Sequence, residues 1–167
     1  MSTLVAGLFM DSKKAGEAVS SLKDKGYTDT ISVVAKDKGG NVSSSQIKEN
    51  VSDGAAVGAA TGGAIGAVAG LVTGAVTAVL PGAVLLVAGP LAVAWGVTGA
   101  ALGALGGGVV GALVDAGFPE EKAKMFEEHI MRGDVLIALT GDEDKVDSMI
   151  QSLRDFGANE IISIPQQ

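Results

Sequence analysis

The chain has no cysteine, one histidine, one tryptophan and one tyrosine among its 167 residues. Without cysteine there is no disulfide framework and no thiolate for catalysis or metal binding. A lone histidine has no imidazole partner, which leaves little to build a His-ligated zinc site or a His-based acid–base pair. Basic residues are scarce as well, 12 against 19 acidic, for a net charge of −7. Phosphate contacts need clustered Lys and Arg, so nucleic acid is excluded as a partner. The same balance argues against electrostatic docking on anionic lipid. The opening stretch MSTLVAGLFMDSKK lacks a basic region ahead of an apolar one. No signal peptide is expected, and the charged flanks are read as cytoplasmic.

The most informative absence is local. From Gly54 to Val114, 61 residues, there is no Asp, Glu, Lys, Arg or His. What fills the run is glycine in register. One ladder is Gly54, Gly58, Gly62, Gly66, Gly70 and Gly74; a second is Gly99, Gly103, Gly107 and Gly111. Position i+4 returns to nearly the same helix face, so each ladder forms a groove in which another backbone can approach closely. Glycine costs roughly 1 kcal/mol against alanine in a water-exposed helix. The ladders therefore point to helix packing and self-association inside lipid or inside an assembly.

Pro81-Gly82 and Gly89-Pro90 divide the run into Gly54–Leu80, an apolar tip and Leu91–Val114. At ~1.5 Å per residue both long pieces exceed the ~20 residues that cross a bilayer core. The expectation is a glycine-zipper helical hairpin whose turn carries Pro81, Gly82, Gly89 and Pro90. Trp95 fits either an interfacial anchor near the tip or helix packing, and Thr61, Thr73, Thr77 and Thr98 are small polar groups that a helix tolerates.

The flanks are two halves of one fold. Shifted by 131 residues, Leu4–Val33 lies over Val135–Ile164 without a gap. Identities include Leu8/Leu139, Asp11/Asp142, Lys14/Lys145, Leu22/Leu153, Gly26/Gly157 and Ile31/Ile162. Each half reads strand, helix, strand. Asp11 and Asp142 are N-cap residues, and Gly26 and Gly157 sit where a helix closes in the left-handed conformation. The expected fold class is α+β: a ferredoxin-like split βαβ repeat with two helices on one face and the hairpin inserted between the halves. Domain limits follow as 1–53 for the first half, 54–114 for the hairpin and 115–167 for a further helix plus the second half. Gly117-Phe118-Pro119-Glu120-Glu121 opens that further helix, with proline and two acids in its first turn. An even number of crossings leaves both flanks on one side, as a shared sheet requires.

No residue stands out as catalytic, metal-binding or cofactor-binding. His129 is read as a surface or packing residue. Asp142-Glu143-Asp144 is read as the acidic start of a helix, since it lacks the glycine and distal Glu of a calcium loop. Gly106-Gly107-Gly108 has no following Lys-Ser/Thr for a phosphate loop. Met10, Met125, Met131 and Met149 are read as core filler.

The run, together with Gly117-Phe118-Pro119-Glu120-Glu121-Lys122-Ala123, Phe126-Glu127 and Gly133-Asp134-Val135-Leu136-Ile137, resembles a bacterial family of general-stress or low-temperature-induced proteins. The resemblance covers most of the chain. Phe118 and Phe126 depart from it, standing where an aliphatic residue and a tyrosine are expected. It implies membrane association and stress induction, and no catalytic residues. The functional expectation is a non-enzymatic, homo-oligomeric stress-response protein at the inner (cytoplasmic) membrane with both termini cytoplasmic. Its partners would be its own copies and a bilayer or bound lipid. A soluble particle or filament with the hairpins buried inside is one alternative, and a pore or transport component is another.

Overall fold

The computed structural model describes residues 2–27, 30–36, 85–88 and 108–166. In chain order these form β1 (Ser2–Phe9), α1 (Ser12–Asp24), β2 (Ile31–Lys36), β3 (Leu85–Ala88), α2 (Gly108–Asp115), α3 (Glu120–Met131), β4 (Val135–Asp142), α4 (Val146–Asp155) and β5 (Glu160–Pro165). A 3₁₀ turn, Glu143–Lys145, leads into α4. The strands make one sheet in the order β3-β2-β4-β1-β5. Every neighbouring pair is antiparallel. The protein is thus α+β.

The internal repeat is borne out in three dimensions. The α1 interval, moved by 131 residues, falls on the 3₁₀ turn plus α4. The halves interlock: β4 lies between β1 and β2, and β1 lies between β4 and β5. Helix α1 starts as expected, with Asp11 in an extended conformation and its carboxylate accepting from the Lys13 amide at 2.9 Å. Asp142 occupies the matching place before the 3₁₀ turn but makes no side-chain cap bond. Its half of the repeat opens with tighter 3₁₀ geometry instead, so the equivalence of the two acids is positional only.

Both faces of the sheet are buried. Side chains alternate along a strand. Val5 and Phe9 of β1 join Val135, Ile137 and Leu139 of β4 beneath α1 and α4, with Leu22, Met149 and Leu153 above them. Leu4, Ala6 and Leu8 point the other way and join Leu136 and Ala138 beneath α2 and α3, where Leu113, Phe118, Phe126 and Ile130 close the second core. Phe118 and Phe126 meet edge to face, with centroids 5.6 Å apart. The expectation of helices on one face therefore describes half of the architecture. The signal was in the strands: TLVAGLF and VLIAL are continuous apolar runs, and a strand wetted on one side would alternate.

Gly7 marks a close approach of α4 to the sheet. A Cβ there would come within 3.1 Å of Leu153 Cδ1 and 3.2 Å of the Ala158 methyl. All four described helices end in the same hydrogen-bond motif closed by a glycine with positive φ. At Gly117 (φ 98°) the Phe118 amide reaches back to the Leu113 carbonyl and the Gly117 amide to that of Val114. Phe118 and Leu113 then share the second core, the apolar contact that accompanies this closure.

Two equally buried faces should be equally sensitive to truncation. Leu153→Ala lowers the unfolding free energy by about 2–5 kcal/mol and Phe126→Ala by about 3–5 kcal/mol. Urea unfolding measures both, and a sheet supported on one face would leave Phe126→Ala near wild type.

Candidate functional site

The feature that needs explaining is the uncharged run, and the structure describes where it joins the sheet. The first junction is the edge pair β2–β3. Lys36 pairs with Leu85, Ala35 with Leu86, Val34 with Val87 and Val33 with Ala88. The second junction is α2, the end of the run. Leu113 is fully buried in the second core. The Val110 amide, in the first turn of α2, donates to Glu127 Oε2 at 3.1 Å. That bond ties α2 to α3 across the second core.

The expectation for the segment between the two turns changes. It was read as an apolar tip remote from the sheet; Leu85–Ala88 is instead a sheet strand. The reason is that an edge strand such as β2 carries unpaired backbone groups, and a short apolar, β-branched-containing segment can satisfy them. Pro81, Gly82, Gly89 and Pro90 lie outside the described residues. So do Gly54, Gly58, Gly62, Gly66, Gly70, Gly74, Gly99, Gly103 and Gly107, as well as Trp95 and the four threonines. Of the ladder residues, Gly111 alone is described. It sits half-buried in α2, and among the described residues an added Cβ there would meet nothing within 4 Å. No helix of the described residues is long and apolar enough to cross a membrane.

The lone histidine and one lysine are structurally employed. His129, in the last turn of α3, places Nδ1 2.8 Å from Asp134 Oδ2. The pair is partly buried, at 28% and 13% side-chain exposure, and braces the turn from α3 into β4. Asp142, Glu143 and Asp144 are exposed around the 3₁₀ turn. Among the described residues no three His, Asp or Glu side chains converge as metal ligands. Lys122 of α3 is paired with Glu160 at the start of β5, tying the second-face helices to the edge strand. Lys124 lies 2.6 Å from Glu120 one turn away. The hydrogen bond and charge of Lys124 hold the Glu120 carboxyl below its usual range, and Glu120 in turn raises Lys124. Both are fully exposed, so water screens the pair and it adds little to stability.

The methionines divide. Met149 is buried beneath α4 as expected, and Met125 packs at the margin of the second core. Met10 is 64% exposed and Met131 37%, so neither is core filler. Met10 follows Phe9, which does point inward; the turn into α1 rotates the next side chain out. No protein-family model matches the chain, and neither curated proteins nor solved structures give a match.

Two glycines of α2 and its cap should respond oppositely. Gly117→Ala costs about 1–2 kcal/mol, because the left-handed conformation must be kept by a residue with a Cβ. Gly111→Ala raises stability by up to ~1 kcal/mol through helix propensity alone. Thermal unfolding of the two variants checks the pair.

Proposed function

We propose that this protein is a non-enzymatic, membrane-associated stress-response protein in which a ferredoxin-like head carries an apolar glycine-zipper insertion that enters lipid and self-associates. The carrying observation is the 61-residue uncharged run itself. The strand order β2-β4-β1-β5, with β1–α1–β2 matched by β4–α4–β5, supports the ferredoxin-like reading of the head. The stretches at 117–123, 126–127 and 133–137 support kinship with the bacterial general-stress proteins.

The β2–β3 pairing bears on how the insertion meets the bilayer. A chain that leaves the sheet after Lys36 and rejoins it at Leu85 must enter and leave lipid on one side. The uncharged part of that excursion, 54–84, divides into about 15 residues out and 15 back, or ~23 Å per helical arm. A hydrocarbon core is ~30 Å thick. The insertion is therefore read as dipping into the near leaflet, with Gly54, Gly58, Gly62, Gly66, Gly70 and Gly74 lining the seam between copies. A second reading, a soluble assembly with the insertions buried inside, is favoured by the moderate hydrophobicity of Ala/Gly segments.

Cell fractionation with a high-pH carbonate wash separates the two. Retention in the pellet until detergent is added supports membrane insertion; release as a large discrete particle supports the soluble assembly. Gly62→Leu with Gly66→Leu should dissolve the oligomer while the circular dichroism of the head is unchanged, and an unaltered oligomer size would remove the ladder from the seam.

A further inference from the structure

Strand β5 lies at the edge of the sheet, with β1 on its inner side. The Gln166 amide donates to the Ser2 carbonyl at 2.9 Å, so Ser2 and Gln166 form a hydrogen-bonded pair. In an antiparallel ladder such pairs recur at every second residue. Ile164 and Ile162 therefore turn their backbone groups toward Leu4 and Ala6, their partners in register. Ile161, Ser163 and Pro165 turn theirs outward. Pro165 fits this parity, because its missing N–H takes no bond from the ladder on the outer side. The outer row offers the amides of Ile161 and Ser163 and the carbonyls of all three residues. Among the described residues no strand pairs with it. Edges are commonly blunted by charge, proline or a bulge. In β5 the only charge is Glu160, at the first position and paired with Lys122, and the only proline is at the last. Apolar side chains flank the row on both faces. Phe156, Ala158 and Ile161 are partly buried at the margin of the first core, and Ile162 at the margin of the second.

We propose that the outer row of β5 pairs with the same row of a second copy of this chain, antiparallel, about a two-fold axis at Ile162. The inference stands on the head alone and does not need the insertion to enter lipid. The backbone pattern is self-complementary in this register. Ile161 of each copy comes opposite Ser163 of the other, and each of these pairs exchanges two hydrogen bonds. Every outward amide is then used, and Pro165 falls outside the pairing. Centring the axis on Ser163 would set Ile161 against Pro165, which has no N–H to return, and would strand a carbonyl on each copy. The charge pattern agrees. Antiparallel pairing holds the two Glu160 residues four steps apart, roughly 14 Å, whereas parallel pairing in register would set them side by side. On the axis Ile162 meets its own copy, a β-branched pair of the kind that stabilises neighbouring strands. The contact is small beside the ~1,200 Å² of a permanent interface. It is a reversible pair, and a covalent trap reads it better than sizing.

Because the chain has no cysteine, a single introduced thiol reports one position. Opposite residues of a non-hydrogen-bonded pair have Cα atoms ~4.5 Å apart, within the ~4.4–6.8 Å that a disulfide spans. Ile162→Cys is placed to crosslink to itself across the axis. Ile161→Cys lies diagonally from its own copy, at roughly 7–8 Å, and is not. Full-length Ile162→Cys, Ile161→Cys and the exposed Asp144→Cys, a control for random collision, are oxidised in detergent with copper phenanthroline, and the dimer is followed on non-reducing gels. Ile162→Cys forms dimer at least about tenfold faster than the other two. Adding Ser163→Pro removes an outward amide and spares the bonds to β1; it slows the Ile162→Cys crosslink about tenfold while the urea midpoint of the head stays near wild type. The crosslink persists when Gly62→Leu and Gly66→Leu are added, which separates the edge from the glycine ladders. Equal rates at the three positions, a rate untouched by a folded Ser163→Pro variant, or loss of the crosslink with the ladder substitutions overturns the self-pairing edge. If Ser163→Pro does not fold, the contrast between Ile162→Cys and Ile161→Cys decides.

Discussion

The β1–β4 ladder is the interaction on which the rest depends. It pairs residues more than a hundred positions apart, from Ser2↔Asp142 to Phe9↔Val135. Neither strand–helix–strand half has a sheet of its own, because β1 and β2 are held apart by β4. Loop-closure entropy grows only with the logarithm of loop length. The long insertion therefore weakens the pairing far less than its size suggests, provided the ladder is buried. Both of its faces are.

That burial explains how the insertion is held. A sheet with one wet face would offer the returning chain nothing apolar to dock against. Here Leu113 and Phe118 enter the second core on either side of the Gly117 turn, so the end of the uncharged run is anchored before α3 begins. Glu127 accepts from the Val110 amide of α2, and Lys122–Glu160 fixes α3 to the edge strand. At the other junction β3 holds the chain by backbone pairing to β2. The head grips the insertion in two places with different physics: apolar burial at one, hydrogen bonding at the other.

Much of this fold was legible in the residues. The 131-residue self-similarity located both halves, Asp11 was the cap it looked like, and Gly26 and Gly157 closed the helices as expected. Three things were not read. Strand β3 is a short apolar segment inside a longer apolar one, where periodicity carries no information about strand or helix. The second covering layer was visible in the lack of alternation along β1 and β4, a signal about the sheet rather than about the helices that cover it. Met10 was assigned by hydrophobicity alone, whereas its place beside an N-cap turn decides its exposure. Of the ladders, only Gly111 lies within the described residues, and among those residues an added Cβ there meets nothing within 4 Å.

The interlocked strand order also has a consequence in time. During synthesis β2 emerges long before β4, the strand it needs on its inner side, because residues 37–134 come between them. At roughly 5–20 residues per second the ribosome takes on the order of 5–20 s to deliver that partner. During this interval the uncharged run emerges from the ribosome with no finished head attached to it. The run is thus exposed as nascent chain before β4 exists to complete the sheet, so the order of synthesis puts its first contacts ahead of closure of the sheet.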